Sequence, residues 1–292
     1  MTSSHREHGS PSPAPQARAP RLLRHSRGVL PFDRPRVMGI LNITPDSFSD
    51  GGRFLARDDA LASARRMIAH GVDVIDVGAE STRPNALPVP AEEEWRRLAP
   101  VLAAIIALGA PVSIDTYKAD VAAKACALGA VIVNDIWGLQ KDPAMAATIA
   151  ETGAAVIMMH NRETTDPGLD IIADIDRSFE RSMEIAARAG IPPERQMLDP
   201  GIGFGKTPDQ SYKTINRLEH FARHGLPLLV GASRKRLIGA VLDVDTEDRL
   251  YGSLALHTIA FIKGAAMVRV HNVQPHVDAA RIAHATMSEH AG

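Results

Sequence analysis

The stretch PVSIDTYKADVAAKACALGAVIVND, residues 111–135, decides the fold. It begins with a short apolar run, Pro111–Ile114, continues through a helical pattern over residues 119–128, and returns to a second apolar run, Val131–Val133. Near-continuous apolar runs of this length are typical of parallel strands that are buried on both faces. A helical stretch between two such runs predicts a strand–helix–strand unit.

The same alternation continues in both directions from this unit. Eight strands are predicted, at Val37–Leu41, Val72–Val77, Pro111–Ile114, Val131–Val133, Ala155–Met159, Gln196–Leu198, Leu228–Val230 and Met267–Val270. Eight amphipathic stretches lie between or after them, at residues 58–70, 92–107, 119–128, 143–152, 171–189, 208–223, 248–263 and 274–288. We expect Pro100 to kink or break the second of these helices.

Eight βα units in about 250 residues predict an α/β protein with a (β/α)8 TIM barrel as its single domain. A doubly wound sheet also alternates strands and helices and is the second interpretation. No GxGxxG follows the first strand, which weakens the dinucleotide-binding version of that sheet.

Composition limits the class of protein. The chain has 292 residues, of which 45% are hydrophobic and 23% charged, and these are globular proportions. The single cysteine, Cys126, excludes an intrachain disulfide and is typical of a reducing compartment, so we expect a cytoplasmic protein. The longest apolar run, Val101–Val112, is shorter than the about 20 residues of a membrane span. The net charge of −1 indicates no general attraction to nucleic acid or acidic lipid.

That net charge is the sum of two unlike parts. Residues 1–36 hold seven Arg against two acids, a charge of +5, and the rest of the chain carries −6. The first segment is rich in proline and lacks apolar periodicity, so it cannot bury enough surface to offset its ordering entropy. We predict a disordered tail over 1–36, the barrel over 37–288 and a short tail over 289–292. Deletion of residues 1–30 should then leave turnover intact.

A polar residue follows every predicted strand, which is where a TIM barrel places its chemistry. In chain order these residues are Asn42, Glu80 to Arg83, Asp115, Asn134 with Asp135, His160, Asp199, Ser233 to Lys235, and His271, which lies two residues past Arg269. The cationic members suit a phosphorylated anion, which favours guanidinium groups. The acceptors Asp115, Asn134 and Asp199 suit a nitrogen heterocycle that presents N–H donors. The residues alone therefore predict a ligand that contains both a nitrogen heterocycle and a phosphate.

Two further features need an interpretation. The run GIGFGKT at 201–207 nearly matches the Walker A motif, but Pro200 stands where that motif requires glycine, which excludes this kind of nucleotide site. We predict instead that its glycines let the backbone approach a flat ligand, with Phe204 as an apolar wall. Asp76 lies within the second strand, where a buried acid needs a partner that the sequence does not identify.

Read together, seven motifs resemble those of bacterial dihydropteroate synthase, a family of pterin-binding TIM barrels. They are NITPDSFSDGG (42–52), ESTRP (80–84), SIDT (113–116), ND (134–135), DPGIGFGK (199–206), SRK (233–235) and RVHN (269–272). They follow the family's order and span essentially all of 37–288. The first and fifth motifs are specific, whereas SIDT or SRK alone would be weak. The N-terminal tail has no counterpart in the resemblance.

The resemblance implies a transferase of folate synthesis. The amine of p-aminobenzoate would displace pyrophosphate from 6-hydroxymethyl-7,8-dihydropterin pyrophosphate, largely dissociatively and with Mg²⁺ as cofactor, to give 7,8-dihydropteroate. An arylamine that attacks a cation needs no strong base, so catalysis lies in helping the leaving group and excluding water. The resemblance also implies a homodimer and inhibition by sulfonamides, which mimic p-aminobenzoate.

The matching motifs also assign site residues. The resemblance places the pterin against Asp115, Asn134, Met159, Asp199 and Lys235, and the diphosphate against Asn42, Thr82, Arg269 and His271, with Asn42 beside Mg²⁺. The p-aminobenzoate pocket is assigned to Phe48, Arg83, Pro84, Phe204 and Ser233. The expected catalytic residues are Asp50, Lys235 and Asp199, with Asp50 close to the developing cation.

Four residues depart from the usual family pattern and leave other functions open. Asn272 replaces a common aspartate, Ala79 and Asn85 replace common glycines, and Arg162 lies in a His-Asn-Arg run where His-Met-Gln-Gly is more usual. One alternative is a methyltetrahydrofolate methyltransferase, which shares the Asp/Asn/Asp grip but has no diphosphate to hold. The other is a paralogue that binds pterin without turnover, for which these departures are the only support.

Overall fold

Eight parallel strands form one sheet that closes into a barrel. The computed structural model describes residues 22–43, 53–80 and 87–290. The barrel strands are β3 (Arg36–Asn42), β4 (Val74–Gly78), β5 (Val112–Asp115), β6 (Ile132–Asp135), β7 (Ala155–Met159), β8 (Gln196–Asp199), β9 (Leu229–Val230) and β10 (Met267–Val270). Neighbours in the barrel follow chain order, β10 pairs with β3, and a bridge between Leu198 and Leu228 closes the ring. The predicted TIM barrel is confirmed.

Helices surround the strands. Within the described ranges they are α1 (Arg53–Ala69), α2 (Ala91–Ile106), α3 (Ala119–Leu128), α4 (Met145–Thr152), α5 (Ile171–Arg188), α6 (Pro208–Asn216), α7 (Arg236–Leu242), α8 (Leu250–Ile262) and α9 (Val273–Ser288). None of these helices has the length and apolar character needed to cross a membrane.

Three details differ from the predicted helices. The short helix α7 was not predicted, because seven residues are too few to show a helical period. The single helix predicted over 208–223 is instead α6 followed by a 3-10 segment, Leu218–His224, since Arg217 leaves the helical conformation. The α2 helix continues through Pro100 without a break, and its buried Leu98, Leu102 and Ile105 pack in the core.

The barrel interior has an apolar lower part and a polar upper part. Toward the N-terminal ends of the strands, one cluster contains Met38, Val74, Ile132, Ala155, Ile157, Met197, Leu229 and Met267. Side chains two residues apart on a strand share a face. Asp76, Asn134, Asp199 and Arg269 each lie two residues beyond a member of that cluster, so they share its inward face. The chemistry therefore lies at the C-terminal ends of the strands.

An antiparallel hairpin covers the opposite end of the barrel. It consists of β1 (Leu22–His25) and β2 (Gly28–Pro31), in which Leu23 pairs with Leu30. Both leucines are buried and belong to the interior apolar cluster. The prediction of a disordered tail over 1–36 is therefore wrong for residues 22–36, because two leucines suffice when the barrel supplies the surface that they bury. Residues 1–21 of that predicted tail lie outside the described residues.

Candidate active site

A pocket at the C-terminal ends of the strands brings together residues of most of the predicted motifs. Its lining consists of Ile40, Asp115, Asn134, Ile136, Met159, Asp199, Phe204, Gly231, Ser233, Lys235, Arg269 and His271. The sequence predicted nine of these twelve as site residues and missed Ile40, Ile136 and Gly231. Two of the missed residues carry a readable signal, since Ile40 and Gly231 lie two residues beyond the inward-facing Met38 and Leu229.

The remaining predicted site residues are not part of this lining. Asn42 ends β3 and is exposed at the rim of the barrel. The other five, Phe48, Asp50, Thr82, Arg83 and Pro84, lie outside the described residues.

Arg269 is held between two carboxylates inside the barrel. Its Nε donates to Asp76 Oδ2 at 2.6 Å and its Nη2 donates to Asp115 Oδ2, also at 2.6 Å. Asn134 Nδ2 donates to the same Asp76 oxygen at 3.2 Å. These contacts supply the partner that Asp76 needs, and they place the predicted diphosphate residue Arg269 against two pterin-assigned residues as well. Sequence analysis assigned Asp76 no role, although its position two residues after the inward-facing Val74 was the signal.

One oxygen of Asp115 has no partner. Asp115 Oδ1 is buried and accepts no hydrogen bond from any described residue. The same is true of Asp76 Oδ1. A buried acceptor without a hydrogen bond destabilises the protein, because it has lost its bonds to water. A ligand that donates an N–H to this oxygen removes that free-energy penalty. Because Asp115 lines the pocket, its free oxygen is an acceptor for a bound molecule.

The glycine-rich loop packs against protein side chains as well as facing the pocket. A Cβ at Gly201 would lie 1.9 Å from the carbonyl oxygen of His160, and one at Gly203 would lie 3.1 Å from Cδ of Lys235. Both glycines also have positive φ, a conformation that other residues rarely adopt. The two glycines therefore allow a close approach to His160 and Lys235 of this chain, and the predicted approach to a flat ligand stays a prediction.

Lys235 and Asp199 lie beside this loop. The Lys235 ammonium donates to the carbonyl of Ile202 and lies 4.3 Å from the centroid of the Phe204 ring. Asp199 Oδ1 accepts from the Gly201 N–H at 2.7 Å. The two side chains thus fix the loop at its start and place Phe204 at the wall of the pocket, as predicted.

Lys206 fastens the same loop from behind and was not among the predicted site residues. Its buried Nζ donates to the carbonyls of Gly201 at 2.8 Å and Phe204 at 3.2 Å, and to His160 Nδ1 at 2.7 Å. Because the Asp174 carboxylate accepts, His160 carries its proton on Nε2, which lies 3.1 Å from Asp174 Oδ2, and Nδ1 accepts from Lys206. Burial and the Lys206 charge lower the pKa of His160 to about 3, so the ring stays neutral.

Burial shifts the pKa values of two ionisable groups of the pocket toward 7. It raises the pKa of Asp115 to about 7 against the opposing charge of Arg269. It lowers the pKa of Lys235 to about 7 against the opposing charge of Asp199. Burial also raises the pKa of Asp199, while Lys235 and the Gly201 N–H oppose it. Such shifts are typical of functional sites.

The loops after β9 and β10 are joined to each other. Ser233 Oγ lies 2.9 Å from His271 Nδ1 and accepts from the His271 backbone N–H at 3.2 Å. Asn272 Oδ1 accepts from Arg234 Nε at 3.1 Å and from its Nη2 at 2.8 Å. The Asn272 departure thus serves the contact between the two loops, and an amide is sufficient for it.

A second ionic cluster surrounds Glu80, which lies two residues after the end of β4. Glu80 accepts from the Tyr117 hydroxyl at 2.9 Å and also binds the Lys118 ammonium. Lys118 in turn contacts the fully buried Glu94 at 2.5 Å. Glu80 is not part of the pocket lining, and its contacts join the residues after β4 to those after β5.

Comparison with known proteins identifies the family. The family model described as pterin binding enzyme matches residues 38–271. The dihydropteroate synthase of Bacillus subtilis is 46% identical over 243 residues, which are 83% of this chain and 85% of that protein. This chain belongs to the dihydropteroate synthase family of pterin-binding enzymes.

Solved structures of relatives agree with this assignment. The dihydropteroate synthase of Clostridium difficile, crystallised in the presence of pteroic acid, superposes with a TM-score of 0.84 and is 45% identical, over 87% of this chain and 97% of that one. The Xanthomonas albilineans enzyme, solved with 7,8-dihydropteroate, gives a TM-score of 0.81 at 38% identity, over 89% and 96%. The resemblance predicted from the motifs is confirmed, as is the prediction of a transferase.

Proposed function

We propose that this chain condenses p-aminobenzoate with 6-hydroxymethyl-7,8-dihydropterin pyrophosphate to give 7,8-dihydropteroate and pyrophosphate. The observation that carries the proposal is the single pocket in which the acceptors Asp115, Asn134 and Asp199 lie beside the cationic groups of Lys235 and Arg269. A relative in this family has been solved with 7,8-dihydropteroate, which is the product of the proposed reaction.

The pterin fits the acceptor-rich part of the pocket. Its amino and ring N–H groups would donate to the free oxygen of Asp115 and to Asp199, and carboxylates favour such paired donors. Met159 supplies an apolar surface at the end of β7, and the Lys235 ammonium can donate to a ring nitrogen or carbonyl. Asp115, Asn134 and Asp199 are buried, which strengthens the hydrogen bonds that they form with the ligand.

The p-aminobenzoate ring would lie between the glycine-rich loop and the loop after β9. Phe204 and Ser233 line the pocket there. Phe48, Arg83 and Pro84, which the resemblance assigns to the same site, would complete it, and Asp50 would lie near the developing cation. Sulfonamides share the shape of p-aminobenzoate, so we also propose that they inhibit the chain.

The diphosphate and Mg²⁺ would lie at the rim, near Asn42 and His271. Within the described ranges no group of three His, Cys, Asp or Glu side chains could hold a metal ion. A single exposed amide oxygen at Asn42 suits Mg²⁺, which keeps several waters and binds mainly through substrate phosphates. The bound ion would neutralise charge on the departing pyrophosphate. The contribution of this chain is to orient that group, with His271 and Thr82 as donors.

We further propose that the chain is a homodimer. The exposed residues of α8 are Tyr251, Ala255, Ile259 and Ile262, all without charge and spaced by three or four positions along one helix face. Tyr251 is 80% exposed and Ile262 is 60% exposed, which leaves a continuous apolar stripe in a single chain. A second copy of this chain would cover the stripe.

A cytoplasmic location is also a proposal. It rests on the single cysteine, Cys126, which is a free thiol on α3, because free thiols persist in reducing compartments.

The proposed reaction is tested by incubating the purified chain with both substrates and Mg²⁺. We expect pyrophosphate and 7,8-dihydropteroate in equal amounts, no release when p-aminobenzoate is omitted, and loss of release when EDTA removes Mg²⁺. Pterin binding without any release would instead support the silent paralogue. Methyl transfer to a corrinoid without pyrophosphate release would support the methyltransferase.

A further inference from the structure

Two buried histidines lie behind the pocket and have no part in the proposed reaction. His257 on α8 is 0% exposed and His276 on α9 is 1% exposed. Their ring centroids are 4.9 Å apart, and the ring planes are inclined by 61°. Each ring also reaches one of the two loops that carry pocket residues.

The hydrogen bonds of each ring fix its tautomer. His257 Nε2 lies 2.9 Å from the Ala232 backbone N–H, which only donates, so Nε2 carries the lone pair and Nδ1 carries the proton. His276 Nδ1 lies 2.6 Å from the carbonyl oxygen of Asn272, which only accepts. His276 therefore has its proton on Nδ1 and its lone pair on Nε2.

The two rings are joined by packing. Their remaining nitrogens, His257 Nδ1 and His276 Nε2, are both buried and have no hydrogen-bond partner among the described residues, each other included. The rings meet edge to face, so a shift of either ring moves the other.

The backbone atoms that the rings hold lie next to pocket residues. Ala232 precedes Ser233, and Asn272 follows His271, and these two pocket residues bond to each other. A second α8 side chain, Ser253, accepts from the Arg234 N–H at 2.9 Å. The loop after β9 is thus held by α8 and the loop after β10 by α9. The two histidine rings contact each other between these helices.

We propose that His257 and His276 act as a neutral positioning pair, in which the edge-to-face packing of the two rings keeps the loops after β9 and β10 in register. The pair would thereby set the separation of Ser233 and His271, which face the substrates. This role in positioning rests on the proposed function, whereas the tautomers and the packing of the two rings do not.

The surroundings favour the neutral form of both rings. Burial lowers the pKa of His257 and of His276, and the nearby charges of His276, Lys235 and His271 lower the pKa of His257 further. A second proton on His276 would place a charge in a buried site that offers it no carboxylate among the described residues. The described groups that act on it therefore all oppose protonation except the carbonyls of Asn272 and Ser253.

The tautomers are tested by NMR of the full chain with 15N-labelled imidazole rings, with signals assigned through His257→Gln and His276→Asn. We expect both rings to be neutral with the proton on Nδ1 from pH 6 to pH 8. A proton on Nε2 of either ring, or an imidazolium at pH 7, would overturn the proposal. This measurement needs no turnover, so it stands apart from any failure of the proposed function.

The positioning role is tested by kinetics on the same full chain. We expect His257→Leu and His276→Leu each to raise the KM for the pterin pyrophosphate about tenfold, with a smaller change in kcat. The double variant should raise KM no further than the more severe single variant, because the residues act as one unit.

Two comparisons separate positioning from stability. His276→Asn keeps a donor toward Asn272 and should recover most of the lost affinity. His224→Gln removes a buried histidine that binds Asp176 far from these loops, and it should leave KM unchanged. A lower Tm with unchanged KM in the leucine variants would show that the pair contributes to stability alone. Increases in KM that multiply in the double variant would show that the two rings act separately. Either result would overturn the proposal.

Discussion

At the scale of single residues, the pocket depends on carboxylates whose charges are only partly balanced. Arg269 serves both Asp76 and Asp115, yet each acid keeps one buried oxygen without a partner among the described residues. The free-energy cost of desolvating such carboxylates exceeds the stabilisation that one guanidinium provides. The pKa of Asp115 therefore rises in spite of the ion pair. The pocket therefore favours a ligand that brings N–H donors.

The pH dependence of kcat/KM follows from the same burial. Asp115 must lose its proton to accept from the pterin, which happens above its pKa of about 7, whereas Lys235 loses its charge above its own pKa of about 7. We expect a bell-shaped profile with its maximum near pH 7, measured by pyrophosphate release between pH 5.5 and 9. Asp115→Asn should flatten the acid limb and Lys235→Arg the alkaline limb. A flat profile for the unmodified chain across this range would contradict the assignment.

Much of this residue-level site could be predicted from the sequence, because strand ends in a barrel converge. Asp115, Asn134 and Asp199 were found in this way and line the pocket. Asp76 was left without a role because it lies inside its strand, although counting by two from Val74 would have placed it on the inner face. The Lys206–His160 contact joins residues 46 positions apart, and no local pattern reveals such a pair.

At the scale of elements, the N-terminal hairpin is part of the barrel. Leu23 is 0% exposed and Leu30 is 6% exposed, and both contact the interior apolar cluster. The sequence of this segment looks disordered because it has no core of its own. The composition of a segment indicates how much apolar surface it can bury by itself. It gives no information about the apolar surface that a neighbouring element provides.

The hairpin should therefore contribute to stability. We expect Leu23→Ala to lower the free energy of unfolding by about 2–5 kcal/mol, as is usual for a leucine removed from a packed interior. Urea denaturation measures this change. Val29→Ala lies in the same hairpin at a side chain that is 49% exposed, and it should cost far less. Equal losses in the two variants would show that the hairpin is only loosely attached.

Deletion of residues 1–30, expected from sequence to be harmless, removes Leu23 and Leu30 together and should also destabilise the barrel.

At the scale of the whole molecule, the order of strands and helices was the most predictable feature, and some elements matched in their bounds as well. The strands Ala155–Met159 and Met267–Val270 and the helix over 119–128 were predicted at their observed bounds. Strands that are buried on both faces leave a strong apolar signal, and each crossover helix must carry an apolar face toward the barrel. The seven residues of α7 leave no such signal, because so short a helix completes only two turns.

The apolar stripe on α8 makes the assembly testable. Ile259→Glu places a charge in the middle of this stripe, where a second copy would have to desolvate it. We expect the chain to elute as a dimer in size exclusion with light scattering, and the variant to elute as a monomer. Val29→Glu introduces the same charge at an exposed position on the hairpin and should leave the dimer intact. If Ile259→Glu remains dimeric, the interface lies elsewhere.

The central claim is that this pocket performs the condensation, and kcat/KM of Asp199→Ala tests it most directly. Loss of a charged hydrogen bond costs about 1.5–3 kcal/mol, so we predict a fall of roughly 10- to 150-fold in the pyrophosphate-release assay. Asp135→Asn is the matched control, because Asp135 is a buried acid whose oxygens accept from the Trp137 and Leu139 N–H groups and do not line the pocket. It should stay within about threefold of the unmodified chain. An Asp199→Ala variant that retains full kcat/KM would contradict the account.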